Sequence, residues 1–225
     1  MYRDLLFDLD NTLLDFGASE KAAFSAALAD AGIAETPEMY PRYSAINDSF
    51  WKRFERGEIA RADIQHGRFR QWCAEFSVDM DTDAFNARYL SHLSGQGIAI
   101  DGAQALLAAL APRFDLYLIS NGLAPVQAGR MEKAGIAGFF RKCFVSSELG
   151  VQKPDKAYFD AVAAGIEGFD PRRALVIGDS LTSDIRGANN SGLPCCWFNP
   201  AGLPRPMDLR IDCEIRSLSE LPDKL

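Results

Sequence analysis

Two aspartates separated by a single residue, Asp8 and Asp10, directly follow a short apolar run near the start of the chain. Two carboxylates held 4 Å apart repel each other by about 4 kcal/mol at an effective dielectric constant of ~20. A fold keeps such a pair where a cation neutralises it, or where one carboxyl is protonated during a reaction. The pair therefore predicts a metal site, acid–base chemistry, or both.

Further candidates occur later in the chain. Asp179 and Asp184 bring the carboxylates to four, a donor set that suits Mg²⁺ bound together with a phosphate. Lys153 could balance one carboxylate and hold a phosphoryl oxygen, and Ser120 and Asn121 could donate hydrogen bonds to other phosphoryl oxygens. Taken singly, Asp184 is as well explained as a helix cap, Lys153 as a surface residue and Ser120-Asn121 as part of a turn. Their ordered occurrence at predicted strand ends favours a common site.

The elements that must position these residues follow from hydrophobic periodicity. Residues 3–9 are predicted to form a buried strand, and residues 19–96 have a helical pattern throughout. After Gly97 the chain alternates between strands and helices. The predicted strands are 115–119, 143–146, 174–177 and 195–198, and the predicted helices are 101–110, 125–134, 156–164 and 183–190.

Such alternation predicts a parallel sheet covered by helices on both faces. Ligands of open α/β sheets bind beyond the carboxyl ends of the strands, where the polar residues named above are predicted to meet. We therefore predict an α/β fold with a Rossmann-like parallel sheet core, residues 1–15 and 97–225. An all-helical domain, residues 16–96, is inserted just after the first strand.

The composition is that of a globular protein of 225 residues and 24.7 kDa, with 48% hydrophobic and 24% charged residues. Its net charge of −7 argues against binding to a nucleic acid polymer. We expect no membrane span and no secretory signal. The five cysteines lack any disulfide or zinc spacing, which favours reduced thiols in the cytoplasm. The two histidines, His66 and His92, have no metal-site spacing.

With these residues in view, the whole chain resembles the haloacid dehalogenase superfamily, and the insertion resembles that family's helical type-I cap. Four family motifs have counterparts in the correct order. These are Phe7-Asp8-Leu9-Asp10-Asn11-Thr12-Leu13 for the Asp-x-Asp-x-Thr motif, Ser120-Asn121-Gly122 for the second, Lys153-Pro154 for the third, and Gly178-Asp179 with Asp184 for the fourth.

The resemblance implies a role for each residue. Asp8 is the expected nucleophile, which forms an aspartyl-phosphate, and Asp10 the expected acid and then base. Mg²⁺ is expected on the Asp8 carboxylate, the Asp10 backbone carbonyl and Asp179, with Asp184 in support. The residues expected to bind the phosphoryl group are Thr12, Ser120, Asn121 and Lys153. Family members that cleave carbon–halogen bonds lack the second aspartate of the first motif, so Asp10 favours phosphate chemistry.

The inserted segment resembles the branch of pyrimidine 5′-nucleotidases, through a stretch that includes Asn47, Trp51 and Arg68. These three side chains are the candidate contacts to the substrate. For Trp51 the alternative is packing within the insertion, and for Arg68 it is a solvated helix face. We expect a 5′-nucleotidase for pyrimidine or modified (deoxy)nucleoside monophosphates, with a small-molecule partner only. The alternatives are a phosphatase for sugar phosphates or other small metabolites, and a catalytically silent binding module. The sequence does not indicate an oligomeric state.

Overall fold

A computed structural model describes residues 2–225, and the chain divides into two compact units. One unit comprises Met1–Phe16 and Gly97–Leu225, and the other comprises Gly17–Gln96. The first unit is built around a sheet, and the second is helical.

Within the described residues the sheet has six strands in the order β3-β2-β1-β4-β5-β6, and neighbouring strands all run parallel. The strands are β1 (Asp4–Phe7), β2 (Asp115–Ser120), β3 (Lys142–Val145), β4 (Ala174–Gly178), β5 (Cys195–Phe198) and β6 (Cys213–Ile215). The central strand β1 pairs with β2 on one side and with β4 on the other. The predicted parallel α/β fold is confirmed.

The α-helices follow in chain order. They are α1 (Phe16–Asp30), α2 (Met39–Glu55), α3 (Arg61–Phe76), α4 (Thr82–Ser94), α5 (Ala103–Leu110), α6 (Ala124–Lys133), α7 (Ser146–Leu149), α8 (Lys156–Ala164) and α9 (Arg186–Asn190). Within the described part of the chain, no helix combines the length and the apolar character needed to cross a membrane.

Both faces of the sheet are covered by apolar side chains. Side chains of alternate residues in a strand point to opposite faces of the sheet. In β1, Leu5 and Phe7 belong to one apolar cluster, whereas Leu6 belongs to the other. All four residues of β1 and all five of β4 are buried. A strand buried on both faces needs a continuous apolar run, which is the pattern seen in the sequence.

The helical unit has its own core, which is largely aromatic. Tyr43 stacks on Phe24 with ring centroids 4.5 Å apart and on Phe69 with centroids 4.9 Å apart. Trp72 meets Phe24 edge-on at 5.4 Å. Stacked and edge-on pairs of this kind contribute about 0.5–1.5 kcal/mol each beyond the area that they bury. The insertion therefore packs around rings contributed by helices α1, α2 and α3.

The structure differs from the sequence prediction at several boundaries. Strand β1 ends at Phe7 and not at Leu9, and a turn over residues 11–13, in which Asn11 has a positive φ of 60°, comes after it. Helix α1 begins at Phe16, three residues before the predicted start of the helical pattern at Ser19, which is buried within the helix. The predicted helix 183–190 begins as a π-helical turn, Leu181–Ile185, before α9. Strand β6 was not predicted, since it is short and contains the charged Glu214.

A glycine in helix α9 gives a test of the packing on one face of the sheet. A Cβ at Gly187 would lie 2.3 Å from Cε2 of the buried Phe159 ring and 3.2 Å from the Pro154 backbone. We expect Gly187→Ala to lower the free energy of unfolding by about 1–3 kcal/mol, the usual cost of overpacking a core. Urea unfolding measures the effect. The matched control is Gly138→Ala, whose Cβ would meet no atom within 4 Å. Equal stability of the two variants would contradict the close packing of α9.

Candidate active site

The predicted site residues follow strands that lie side by side. Asp8 comes directly after β1, Ser120 ends β2, and Asp179 comes directly after β4. The register pairs Phe7 with both Leu118 and Ile177, and the Asp8 amide donates to the Ile177 carbonyl at 2.9 Å. Parallel pairing in this register brings the carboxyl ends of the three strands to one edge of the sheet.

A buried lysine lies at the centre of this edge. The Nζ atom of Lys153 donates to Asp8 Oδ1 at 2.7 Å, to Asp184 Oδ1 at 2.7 Å, and to the Ile119 carbonyl at 3.1 Å. An ammonium has three donors, and each of them has an acceptor here. Lys153 is 1% exposed, so its alternative interpretation as a surface residue is wrong. Asp184 is fully buried and lies within the π-helical turn Leu181–Ile185, whose cap is Ser180, so Asp184 is not the helix cap.

The electrostatic balance of the cluster is negative. Burial raises the pKa of Asp8 well above its usual range, and the Asp184 charge raises it further, while Lys153 opposes the rise. Burial and the Asp184 charge raise the pKa of Asp179 to about 7. Burial also disfavours the charged form of Lys153, but the Asp184 and Asp8 carboxylates outweigh it and raise the lysine pKa well above its usual value. One ammonium thus faces three carboxyl groups.

This donor set fits a divalent cation. Carboxylate oxygens of Asp8, Asp179 and Asp184 lie within 4.8 Å of one another. Hard oxygen donors are the ligands that Mg²⁺ prefers. Because negative charge is in excess here, a cation would be held by electrostatic attraction as well as by coordination. Asp184 already has both oxygens engaged, by Lys153 and by the Ser180 amide at 3.1 Å, which suits a supporting role.

The close approach of Asp184 depends on a glycine. A Cβ at Gly178 would lie 2.2 Å from Asp184 Oδ2 and 2.4 Å from its Cγ. Any side chain at this last residue of β4 would push the carboxylate away from Lys153. The Gly-Asp sequence of the fourth motif therefore has a steric basis as well as a chemical one.

Thr12 and Asn121, both predicted to bind phosphate, contact other site residues. The Thr12 hydroxyl accepts a hydrogen bond from the Asp179 amide at 3.1 Å and donates one to Asp179 Oδ1 at 3.3 Å. The Asn121 side chain donates to the Lys153 carbonyl and accepts from the Lys153 amide, both at 2.9 Å. These contacts fix the position of Asp179 and of the lysine loop. Direct contact of either residue with phosphate stays a prediction.

Asp10 is held by two residues that the sequence patterns did not predict. Arg130 Nη1 donates to Asp10 Oδ1, and Gln127 Nε2 donates to Asp10 Oδ2 at 2.7 Å. The same Gln127 nitrogen donates to Ser120 Oγ at 2.8 Å. Both residues lie on α6, three positions apart, where helical spacing places them on one face. Polar residues on the buried face of a helix were the signal that could have found them.

In the helical unit, Asn47 and Arg68 form part of a buried polar network. Arg68 Nη1 donates to Asn47 Oδ1 at 2.9 Å, Arg68 Nη2 donates to Asn86 Oδ1 at 2.8 Å, and Asn47 Nδ2 donates to Glu20 Oε1 at 2.7 Å. The guanidinium of Arg68 also lies over the rings of Phe69 and Tyr89, 5.0 and 4.8 Å from their centroids.

Arg68 is 3% exposed, so its alternative placement on a solvated helix face is wrong. Trp51 is partly exposed and packs edge-on against Phe54, with centroids 5.8 Å apart. The structure thus brings Asn47 and Arg68 together and leaves part of Trp51 accessible. Whether any of the three contacts a substrate stays a prediction.

Comparison with known proteins finds a family model and relatives that match most of the chain. The family model described as haloacid dehalogenase-like hydrolase matches residues 3–192. The chain is 36% identical over 225 residues to pyrimidine 5′-nucleotidase PynA of Streptococcus pneumoniae, covering 100% of this chain and 95% of PynA. It is 30% identical over 221 residues to pyrimidine 5′-nucleotidase YjjG of Escherichia coli, covering 98% and 96%.

A solved structure extends the similarity to three dimensions. The crystal structure of the HAD-hydrolase YfnB from Bacillus subtilis, bound to magnesium, superposes with a TM-score of 0.94 at 38% sequence identity. The alignment covers 100% of this chain and 98% of YfnB. The similarity therefore extends over both units of the chain.

Removal of the central lysine tests the charge balance at this edge of the sheet. Lys153→Met leaves the Asp8 and Asp184 carboxyls without their cation, a loss that costs about 3–5 kcal/mol for a buried pair. A carboxyl whose pKa is raised by folding stabilises the protein at low pH, and that stability is lost as pH rises through the raised value. Because Asp8 is such a group, the variant should lose more stability at about pH 8 than at about pH 5.

Urea unfolding without divalent cations, compared with wild type at each pH, measures this difference. Lys156→Met is the control, because Lys156 is exposed and its carboxylate partner Asp160 is exposed as well. A Lys153→Met variant whose loss of stability is independent of pH would contradict the burial of the carboxyls against this lysine.

Proposed function

The chain belongs to the haloacid dehalogenase-like hydrolases, and we propose that it is a Mg²⁺-dependent phosphomonoesterase with an aspartyl-phosphate intermediate. Its proposed substrates are pyrimidine or modified (deoxy)nucleoside monophosphates. The observation that carries the proposal is the buried ion cluster of Asp8, Lys153 and Asp184, with Asp10 held two residues beyond the nucleophile.

The proposed reaction has two steps on the phosphorus atom. In the first, an Asp8 carboxylate oxygen attacks phosphorus, the bond to the ester oxygen breaks, and Asp10 gives that oxygen a proton. In the second, Asp10 takes a proton from water, the water oxygen attacks phosphorus, and the bond to Asp8 breaks, which releases phosphate. Lys153 orients Asp8 through a 2.7 Å hydrogen bond and offsets the charge that accumulates on the phosphoryl oxygens.

We assign the metal site to the Asp8 carboxylate, Asp179 and the Asp10 backbone carbonyl, with Asp184 in support. When bound, Mg²⁺ would neutralise part of the charge between the Asp8 carboxylate and an anionic phosphate. The excess of carboxyl groups over cations and the raised pKa values of Asp8 and Asp179 support this assignment. Ser120, Asn121, Thr12 and Lys153 are the proposed phosphate-binding residues.

The nucleotide assignment is supported by the similarity to PynA and YjjG, which are both pyrimidine 5′-nucleotidases. We propose that the helical unit, Gly17–Gln96, selects the leaving group in the manner of a type-I cap. A phosphatase for sugar phosphates or other small metabolites is the second candidate. It is favoured by the burial of Asn47 and Arg68, whose polar groups are engaged within the helical unit. The free thiols favour a reducing compartment, and we therefore propose that the protein is located in the cytoplasm.

Substitution of the nucleophile tests the covalent mechanism. We expect Asp8→Asn to reduce hydrolysis of p-nitrophenyl phosphate by at least about 10³-fold, because an amide is a poor nucleophile. Circular dichroism and urea unfolding show whether the variant keeps its fold. Mass spectrometry of wild type after rapid quenching should detect a phosphoryl adduct on the protein, and its peptides should locate that adduct on Asp8. A folded Asp8→Asn variant that retains turnover, or an adduct on a serine, would exclude this mechanism.

A panel of phosphate esters tests the substrate class. We expect kcat/KM to be highest for pyrimidine nucleoside monophosphates among dUMP, dTMP, UMP, AMP and hexose phosphates. Trp51→Ala should lower the nucleotide values by roughly 10- to 100-fold, the scale of a contact worth about 1–3 kcal/mol. It should leave p-nitrophenyl phosphate nearly unchanged, since that small ester makes few contacts beyond the phosphate.

Arg88→Ala is the control for Trp51→Ala, because Arg88 is an exposed residue of helix α4. Preference for a hexose phosphate in the panel would favour the second candidate. Equal losses on nucleotide and p-nitrophenyl phosphate would assign Trp51 to packing of the helical unit instead.

A further inference from the structure

The Asp10 carboxylate is held on both of its oxygens by separate donors. Arg130 Nη1 donates to Oδ1, and Gln127 Nε2 donates to Oδ2 at 2.7 Å. The Asp10 side chain is 29% exposed, whereas Arg130 is fully buried and Gln127 is 2% exposed. A partly accessible carboxylate is therefore anchored from the protein interior.

Arg130 and Gln127 also hold each other in place by a hydrogen bond. Arg130 Nη1 donates to Gln127 Oε1 at 3.0 Å, and Gln127 Nε2 donates to Ser120 Oγ at 2.8 Å as well as to Asp10. A reversed amide would aim its oxygen at the Asp10 carboxylate and its NH₂ at the Arg130 guanidinium. Both contacts would then be repulsive, so this network admits a single amide orientation.

Stability does not explain why Arg130 is buried here. Among the described residues, its Nε and Nη2 atoms have no hydrogen-bond partner, and its guanidinium lies 5.5 Å from the Phe16 ring centroid. Leaving a buried polar donor unsatisfied costs about 1–3 kcal/mol, and more for a charged group. A buried ion pair of this kind is weak evidence for a stabilising role. Its specific contact is with Asp10, which points to a role in placing that carboxylate.

We propose that Arg130 and Gln127 are positioning residues, which fix the Asp10 carboxyl in the orientation needed for proton transfer. The proposal rests on the proposed function, in which Asp10 protonates the ester oxygen and then activates water. Both transfers use one side chain, so a single fixed orientation serves both steps. A misplacement of about 1 Å in a reacting group can cost ~10²-fold in rate.

Gln127 extends this role to the phosphate end of the site. Its NH₂ group joins Asp10 to Ser120, a proposed phosphate-binding residue, so the acid–base group and the phosphate loop share one anchor. A Cβ at Gly122 would lie 2.5 Å from Gln127 Nε2 and 2.7 Å from its Cδ. Gly122→Ala should therefore displace the amide without removing any polar group, which gives a second route to the same perturbation.

The test compares two esters with different needs for the acid. The p-nitrophenolate ion departs without a proton, whereas the alkoxide of glycerol 2-phosphate requires one. For Arg130→Met, we expect kcat on glycerol 2-phosphate to fall by roughly 10- to 100-fold with KM changed less than about threefold. Phosphorylation by p-nitrophenyl phosphate, measured in a rapid-quench burst, should change by less than about threefold.

Loss of the base function gives a second readout. Water activation by Asp10 is needed whichever ester is used, so the phosphoenzyme should persist longer in Arg130→Met, and mass spectrometry should show it accumulating. Gln127→Leu and Gly122→Ala should show the same pattern more weakly, and Arg130→Lys should recover part of the rate because it keeps a cation. Lys133→Met, an exposed substitution on the same helix, is the control that should behave as wild type.

A double substitution distinguishes positioning from a general effect on the fold. In an Asp10→Asn background, adding Arg130→Met should change the phosphorylation burst by less than about twofold, because the group on which Arg130 acts is already lost. A further large loss there, or equal losses in phosphorylation by both esters, would overturn the proposal. If Arg130→Met does not fold, Gln127→Leu and Gly122→Ala decide the question by the same criteria.

The two proposals fail in different ways. Active wild type together with wild-type behaviour of the Arg130 and Gln127 variants would overturn the positioning role alone. A wild-type protein that hydrolyses no phosphomonoester, or that turns over unchanged as Asp8→Asn, would overturn the proposed function and the positioning role with it.

Discussion

The contact on which the site depends is the buried ammonium of Lys153, between the carboxylates of Asp8 and Asp184. A lysine this deep is tolerated only when opposite charges and acceptors surround it. Other residues at this edge of the sheet keep the lysine and its acceptors in place. The Asn121 side chain hydrogen-bonds to both the amide and the carbonyl of Lys153, and the missing side chain of Gly178 lets Asp184 reach the ammonium. The parallel register of β1, β2 and β4 brings the groups to one place.

Asp8 and Asp10, the proposed nucleophile and the proposed acid–base group, each contact a separate cation. Lys153 contacts Asp8, and Arg130 contacts Asp10, although Asp8 and Asp10 are only two residues apart. When all are ionised, the four carboxylates of Asp8, Asp10, Asp179 and Asp184 exceed the cations Lys153 and Arg130 by two charges. A divalent cation would balance this charge. In the proposed mechanism, separate cations would let Asp10 exchange protons while Asp8 stays oriented for attack.

The helical unit combines an aromatic core with a buried polar network. Burial raises the pKa of Glu20, while hydrogen bonds from Ser44, Asn47 and Tyr40 oppose the rise. The guanidinium of Arg68 extends this network to Asn86. Glu20, Asn47, Arg68 and Asn86 all have partners in this network, although Arg68 Nε has none among the described residues. Such networks favour one arrangement of the surrounding helices. Side chains used in this way are less available to a ligand than the partly exposed Trp51.

Local patterns in the sequence were sufficient for the architecture and for the main catalytic candidates. The apolar runs predicted the strands of a parallel sheet, and the acids and lysine that follow them predicted the site, because both signals lie within a few residues of one another. Asp8, Lys153, Asp179 and Asp184 meet as expected. The helical character of the insertion was evident for the same reason, and only short or irregular elements such as β6 were missed.

Tertiary structure decided which side chains are partners. Asp10 is 117 residues from Gln127 and 120 from Arg130, so their contact depends on where the fold places α6 and on no local pattern. Burial of Asn47 and Arg68 depends in the same way on how α1, α2, α3 and α4 pack. Periodicity reports which face of an element is apolar, whereas a hydrogen bond requires two particular atoms within about 3 Å. That distance is set by the assembled fold, so local sequence patterns do not predict it.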